Sequence, residues 1–151
     1  MYGYDNFPLP NPFNSLTLAG PVATTPTFID AWRAPAFGEV GVYHNGTAVT
    51  QIFSPPGENA SYQPGELGMH PGPNDQYAIV QFTAPANGLY KIFGIFEGLD
   101  VGGTNTQVDL LKNNVPVVGG NVIGFGPASD VPLSVGPLLL NAGDTLAFAV
   151  G

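Results

Sequence analysis

Tyr77-Ala78-Ile79-Val80-Gln81-Phe82-Thr83 is followed by Ala84-Pro85-Ala86-Asn87-Gly88 and then by Leu89-Tyr90-Lys91-Ile92-Phe93-Gly94-Ile95-Phe96. Side chains of an extended chain point alternately to its two faces. The first run therefore sets Ala78, Val80 and Phe82 against Ile79, Gln81 and Thr83. The second run places Tyr90, Ile92 and Phe96 on one face, and its Gly94 predicts a bulge or a close backbone approach. The short Pro/Gly link between the runs predicts an antiparallel hairpin.

The same grammar continues on both sides. Towards the C-terminus, strands are expected at Thr106–Leu111 and Val115–Val122, with a turn at Asn113-Asn114. Another is expected at Val131–Leu140, broken by Gly136-Pro137. After the turn Ala142-Gly143-Asp144, Thr145–Val150 turns Leu146, Phe148 and Val150 inward and Thr145, Ala147 and Ala149 outward. Towards the N-terminus, strands are expected at Phe28–Trp32, Phe37–Tyr43 and Ala48–Phe53, with a short one at Glu66–His70. Ser54–Pro64 reads as a loop. Residues 1–27 hold prolines at 8, 10, 12, 21 and 26 and read as an extended arm, with a strand at Leu16–Ala19. No window has helical periodicity, since 21 glycines and 16 prolines interrupt every candidate. The expected fold is all-β: an arm over residues 1–27, then one antiparallel jelly-roll β-sandwich over 28–151 with about eight to ten strands.

Composition narrows the partners. The 151 residues are 44% hydrophobic, including 10 Phe, 6 Tyr and 1 Trp, which is enough to build a core. The net charge is −8, and the three basic residues, Arg33, Lys91 and Lys112, are scattered. Such a chain cannot neutralise a nucleic-acid backbone or dock on an anionic membrane. No apolar run is long enough for a spanning helix, and Met1–Leu9 lacks the features of a signal peptide. There is no cysteine, so disulfides, thiolate metal sites and cysteine nucleophiles are excluded.

Four segments together carry a resemblance. They are Gly65-Glu66-Leu67-Gly68-Met69-His70-Pro71-Gly72-Pro73-Asn74, Val80–Tyr90, Gly98-Leu99-Asp100 and Ala142–Gly151. Across residues 30–151 the chain resembles the jelly-roll ectodomains of bacterial secreted proteins that carry a Pro-Glu-Pro C-terminal sorting signal (the PEP-CTERM type). The resemblance implies an exported sandwich at the cell surface or in an extracellular matrix, and it brings no catalytic residues. Members of that group continue beyond the segment ending at Gly151 with a loop and a closing strand. An unclosed sandwich presents a strand edge, which invites pairing with another chain. A trimmed sequence would end the same way.

Candidate chemistry is sparse. No Gly-x-Ser-x-Gly elbow is present, and the only histidines, His44 and His70, read as loop-edge residues. Calcium is the metal the residues favour, with Asp100 and Asp109 as its candidate ligands and Glu97 and Asp144 behind them. The simpler reading is that Asp100 and Asp144 hydrogen-bond their own turns. Trp32, Tyr43, Tyr62 and Tyr77 are the candidates for stacking on sugar rings, against a plain core role. Asn45-Gly46-Thr47 and Asn59-Ala60-Ser61 match the glycosylation sequon by chance in a chain of bacterial type. The first functional expectation is a non-enzymatic extracellular or cell-surface structural module that self-assembles by strand or arm exchange. The second is a carbohydrate-binding module assisted by calcium.

Overall fold

The computed structural model describes residues 2–6, 14–15, 18–21, 29–33, 40–54 and 59–151. Phe28, residues 34–39 (with the start of the expected strand Phe37–Tyr43), residues 55–58 and the remainder of the arm lie outside them. The fold is all-β, and every strand pair is antiparallel.

In chain order the strands are β1 (Tyr2–Asn6), β2 (Asn14–Ser15), β3 (Leu18–Pro21), β4 (Ile29–Arg33), β5 (Gly41–Asn45), β6 (Gln51–Phe53) and β7 (Ala60–Tyr62). They continue with β8 (Leu67–His70), β9 (Gln76–Thr83), β10 (Gly88–Gly98), β11 (Thr104–Lys112), β12 (Val115–Gly124), β13 (Gly126–Leu140) and β14 (Thr145–Val150). A six-stranded sheet runs in the order β12-β11-β14-β9-β1-β2. β10 pairs with β13, β3-β4-β5-β8 form a third sheet, and β6 pairs with β7.

Alternation explains how the sheets stack. Leu110 and Leu146 on the six-stranded sheet meet Ile92, Leu133 and Leu140 from the β10–β13 pair in one buried cluster. Tyr90, Phe96, Val118 and Phe148 pack around it. Tyr90, Ile92 and Phe96 thus share one face as expected, and the fold turns that face inward. Each fully buried Leu or Ile here contributes about 1.5–3 kcal/mol of transfer free energy. A second cluster, Tyr77, Ile79, Leu111, Ala147 and Ala149, lies on the opposite face of the same sheet. A third joins β4 and β5 to β7 through Ile29, Ala31, Tyr43, Ala60 and Tyr62.

Several local expectations are corrected. β9 and β10 are not a hairpin: among the described residues β9 pairs with β1 and β14, whereas β10 pairs with β13. Residues 84–87 carry the chain from one sheet to the other. The crossing is held by hydrogen bonds from the Ala84 N–H to the Asp144 carbonyl (2.8 Å) and from the Gly143 N–H to the Ala84 carbonyl (2.9 Å). Ala147 and Ala149, expected outward, are buried because the sheet is covered on both faces at β14. Ser54–Pro64 contains β7, whose Ala60 and Tyr62 are core residues. β13 begins at Gly126 and runs through Gly136-Pro137, absorbing the irregularity as a register shift against Tyr90 and Ile92. Gly94 pairs regularly with Leu133, and the register shifts flank it. Within residues 28–151 the described residues hold eleven strands (β4–β14) instead of about eight to ten, and the arm adds β1, β2 and β3; short pieces such as β2 and β7 carry no alternation signal of their own.

The C-terminal strand is also not an edge. β14 lies between β11 and β9, and the Gly151 N–H and C=O both bond Gln107 (3.0 and 2.9 Å). The ends of the six-stranded sheet are β12 and β2. The β11–β12 link, by contrast, is a two-residue hairpin at Asn113-Asn114 as expected, with φ of 49° and 65°. Positive φ at both central residues is the signature of the turn whose twist matches the flanking strands.

Candidate functional site

Two features stand out, an apolar outer surface and a cavity. β10 turns Leu89, Lys91, Phe93 and Ile95 away from the core, and Leu139 of β13 lies directly across from Leu89. Phe93 is 74% exposed and Leu89 70%. Ser134 and Pro132 stand opposite Phe93 and Ile95. Among Leu89, Lys91, Phe93 and Ile95, Lys91 is the one charged side chain. Beyond this pair, β12 is a ten-residue edge strand, Val-Pro-Val-Val-Gly-Gly-Asn-Val-Ile-Gly, with no charged residue. Val115, Val117 and Ile123 on it are exposed. Edge strands are ordinarily blunted by charge, and this one carries instead Pro116 and a register shift at Val117.

The cavity measures about 480 Å³ and opens between β8, the end of β10 and the start of β11. Met69, Phe96, Val108, Val122 and Val150 form its apolar floor, three of them within one buried cluster. Tyr62 forms a wall, its ring lying over Gly68, where any Cβ would collide with it. Three carboxylates, Glu66, Glu97 and Asp100, line the same space, with no lysine or arginine among the lining residues. Glu66 Oε2 accepts the Gln63 N–H (2.7 Å), and Asp100 Oδ1 accepts the Gly102 N–H (2.8 Å). The Glu97 carboxyl is held above the usual carboxylate range, first by desolvation, then by the charges of Asp130 and Glu66 and a side-chain hydrogen bond with Asp130.

The expected site residues do not converge. Asp100 lines the cavity and closes its own turn. Asp109 is buried on the other face of the six-stranded sheet, where Gln107 Nε2 donates to it (2.7 Å). Its charge and that of Asp75 help burial, the larger cause, to raise the Tyr77 hydroxyl above its ordinary range. Asp144 accepts from the Asn141 N–H (2.9 Å) and from Asn113 Nδ2 (3.0 Å). Those bonds, the backbone one first, hold its carboxyl below the usual range. Among the described residues no three His, Asp or Glu side chains gather in a metal-holding group.

Of the aromatic candidates, Tyr43, Tyr62 and Tyr77 are buried and Trp32 is half-buried. Tyr43 stacks on Phe53 at 6.5 Å, and Tyr77 lies in a different cluster on a different sheet. The four rings form no common platform. Glu66 and the Met69 floor were not singled out by the sequence, because only folding brings 66–70 against 95–108. The Asn45 sequon side chain is fully buried, donating to the carbonyls of Val49 (2.9 Å) and Tyr62 (3.0 Å). That burial closes the position to a glycan. No protein-family model matches the chain, and no curated protein matches it in sequence.

Proposed function

We propose that the protein is a non-enzymatic structural module of an extracellular or cell-surface matrix that associates with copies of itself through strand edges and the apolar β10–β13 face. The observation that carries this reading is the exposed row of Leu89, Phe93, Ile95 and Leu139 on the β10–β13 pair, to which the uncharged edge strand β12 of the six-stranded sheet adds a second surface. An exposed apolar row and an uncharged edge strand each favour association with another chain. The arm offers a second route. β1 pairs with β9 over five residues, Tyr2↔Val80 to Asn6↔Gln76, and the same ladder formed between copies would be a swap that keeps every backbone bond. The jelly-roll connectivity and the export implied by the resemblance belong to the same proposal.

Light scattering with negative-stain microscopy tests it. Wild type is expected to form regular oligomers or filaments at micromolar concentration. Leu89→Lys with Phe93→Lys should reduce them to monomers without lowering the melting temperature, since both side chains already face solvent. A wild type that stays monomeric at all concentrations and salt levels would overturn the reading.

A further inference from the structure

We propose that the cavity between β8, β10 and β11 is a binding site for a small organic cation, a protonated amine attached to an aromatic or aliphatic body. This goes beyond the structural role and does not rest on it. The volume of about 480 Å³ lies within the range of small-molecule sites. The floor of Met69, Phe96, Val108 and Val150 suits an apolar body of phenyl or short alkyl size. The polar groups fix the sign of the head. Glu66, Glu97 and Asp100 all line the cavity, no lysine or arginine does, and the Nδ1 of His70 is engaged at 2.7 Å with the Pro71 carbonyl.

Glu66 and Asp100 each accept one backbone N–H of their own loop, and Glu97 shares a side-chain hydrogen bond with Asp130. Glu66 binds the Gln63 N–H through one oxygen only, as Asp100 binds the Gly102 N–H. An ammonium has three donors and no acceptor, so it matches a rim of acceptors with no donor of its own charge. A carboxylate or phosphate ligand would meet only repulsion there. A neutral sugar would forgo that charge complementarity and leave the apolar floor largely unused.

The test is heteronuclear NMR titration of the full chain with 2-phenylethylammonium at pH 7 and low salt, with 2-phenylethanol and glucose as matched probes. Saturable shifts confined to Met69, Phe96, Val108 and their neighbours are expected for the amine, with the alcohol at least tenfold weaker. Glu97→Gln combined with Glu66→Gln should weaken the amine at least fivefold and leave the alcohol unchanged. Met69→Trp, which fills the floor, should abolish both. Equal affinity for amine and alcohol, saturable glucose binding at the same residues, or no saturable shift with the amine would each overturn the proposal. Its failure is separable from that of the self-assembly reading, because Leu89→Lys with Phe93→Lys changes neither the floor nor the rim.

Discussion

At the residue scale, a few polar side chains hold the turns and one acidic cluster strains them. Asn45 is the hub of the β5 end. Its Nδ2 donates to two carbonyls, and its Oδ1 accepts the Thr47 N–H (3.0 Å) and hydroxyl (2.7 Å). Asn45→Ala leaves these groups unpaired, and a loss of roughly 2–3 kcal/mol is expected by urea denaturation. Glu97 works in the opposite direction. Its raised pKa means that the folded state holds the proton more tightly than the unfolded chain. That contribution is full at acid pH and is lost as pH rises through the raised value, so the ionised group is a liability at pH 7. Glu97→Gln should raise stability at pH 7, by a small amount because solvent screens the charges around this partly exposed group. The gain should vanish below the ordinary carboxylate range. Asp144 has the reverse sign, because its lowered pKa gives stability at neutral pH that disappears on acidification. Thermal melts of wild type, Glu97→Gln and Asp144→Asn between acid and neutral pH separate the two. None of the Glu97 behaviour is legible from the sequence, since Glu66 and Asp130 are brought near it only by the fold.

At the element scale, the Asn113-Asn114 hairpin was legible and the link at 84–87 was not. Asn113 adopts positive φ, and its Oδ1 accepts the Thr145 N–H (2.8 Å), so it joins the β11–β12 turn to the start of β14. Asn113→Ala adds left-handed backbone strain and removes that bond. A loss of about 1–3 kcal/mol is expected, and Asn113→Asp should recover little of it at neutral pH, because its carboxylate would face Asp144, to which the Asn113 Nδ2 now donates. The β9–β10 link has ordinary turn residues, yet it crosses between sheets. Pro85 and Gly88 announce a change of direction and leave the next partner open. Packing supplies the answer, because Phe82 and Tyr90 meet at a ring distance of 5.8 Å and Ile92 enters the core shared with Leu110 and Leu146. Deleting residues 2–26 strips β9 of β1. A lower melting temperature together with loss of the assemblies is expected. Full-sized assemblies formed by the shortened chain would show that the arm plays no part in association.

At the scale of the whole molecule, stability rests on buried sheet faces, and charge contributes little. The described ion pairs, His44 with Asp30 (3.6 Å) and Lys112 with Asp144 (3.5 Å), are partly exposed. Such pairs contribute little and are screened by salt. The melting temperature should therefore move by no more than about 3 °C between low and high salt. A drop of many degrees would reveal an electrostatic or metal contribution of a different order. The exposed row of Leu89, Phe93, Ile95 and Leu139 runs counter to this economy of surface, which is why it carries the functional proposal.

The sequence by itself determined the all-β class, the positions of the long strands, the turn at Asn113-Asn114 and the grouping of Tyr90, Ile92 and Phe96 on one face of β10. These follow from two-residue alternation, from turn residues able to hold positive φ, and from glycine and proline too frequent for any helix. Only the tertiary structure decided that β9 pairs with β1 and β14, that Ala147 and Ala149 are buried, that β14 is internal, and that three carboxylates line one cavity with an apolar floor. Alternation separates two faces without saying which of them another layer will cover. Strand pairing and cavity walls join residues dozens of positions apart, and no local pattern encodes those contacts.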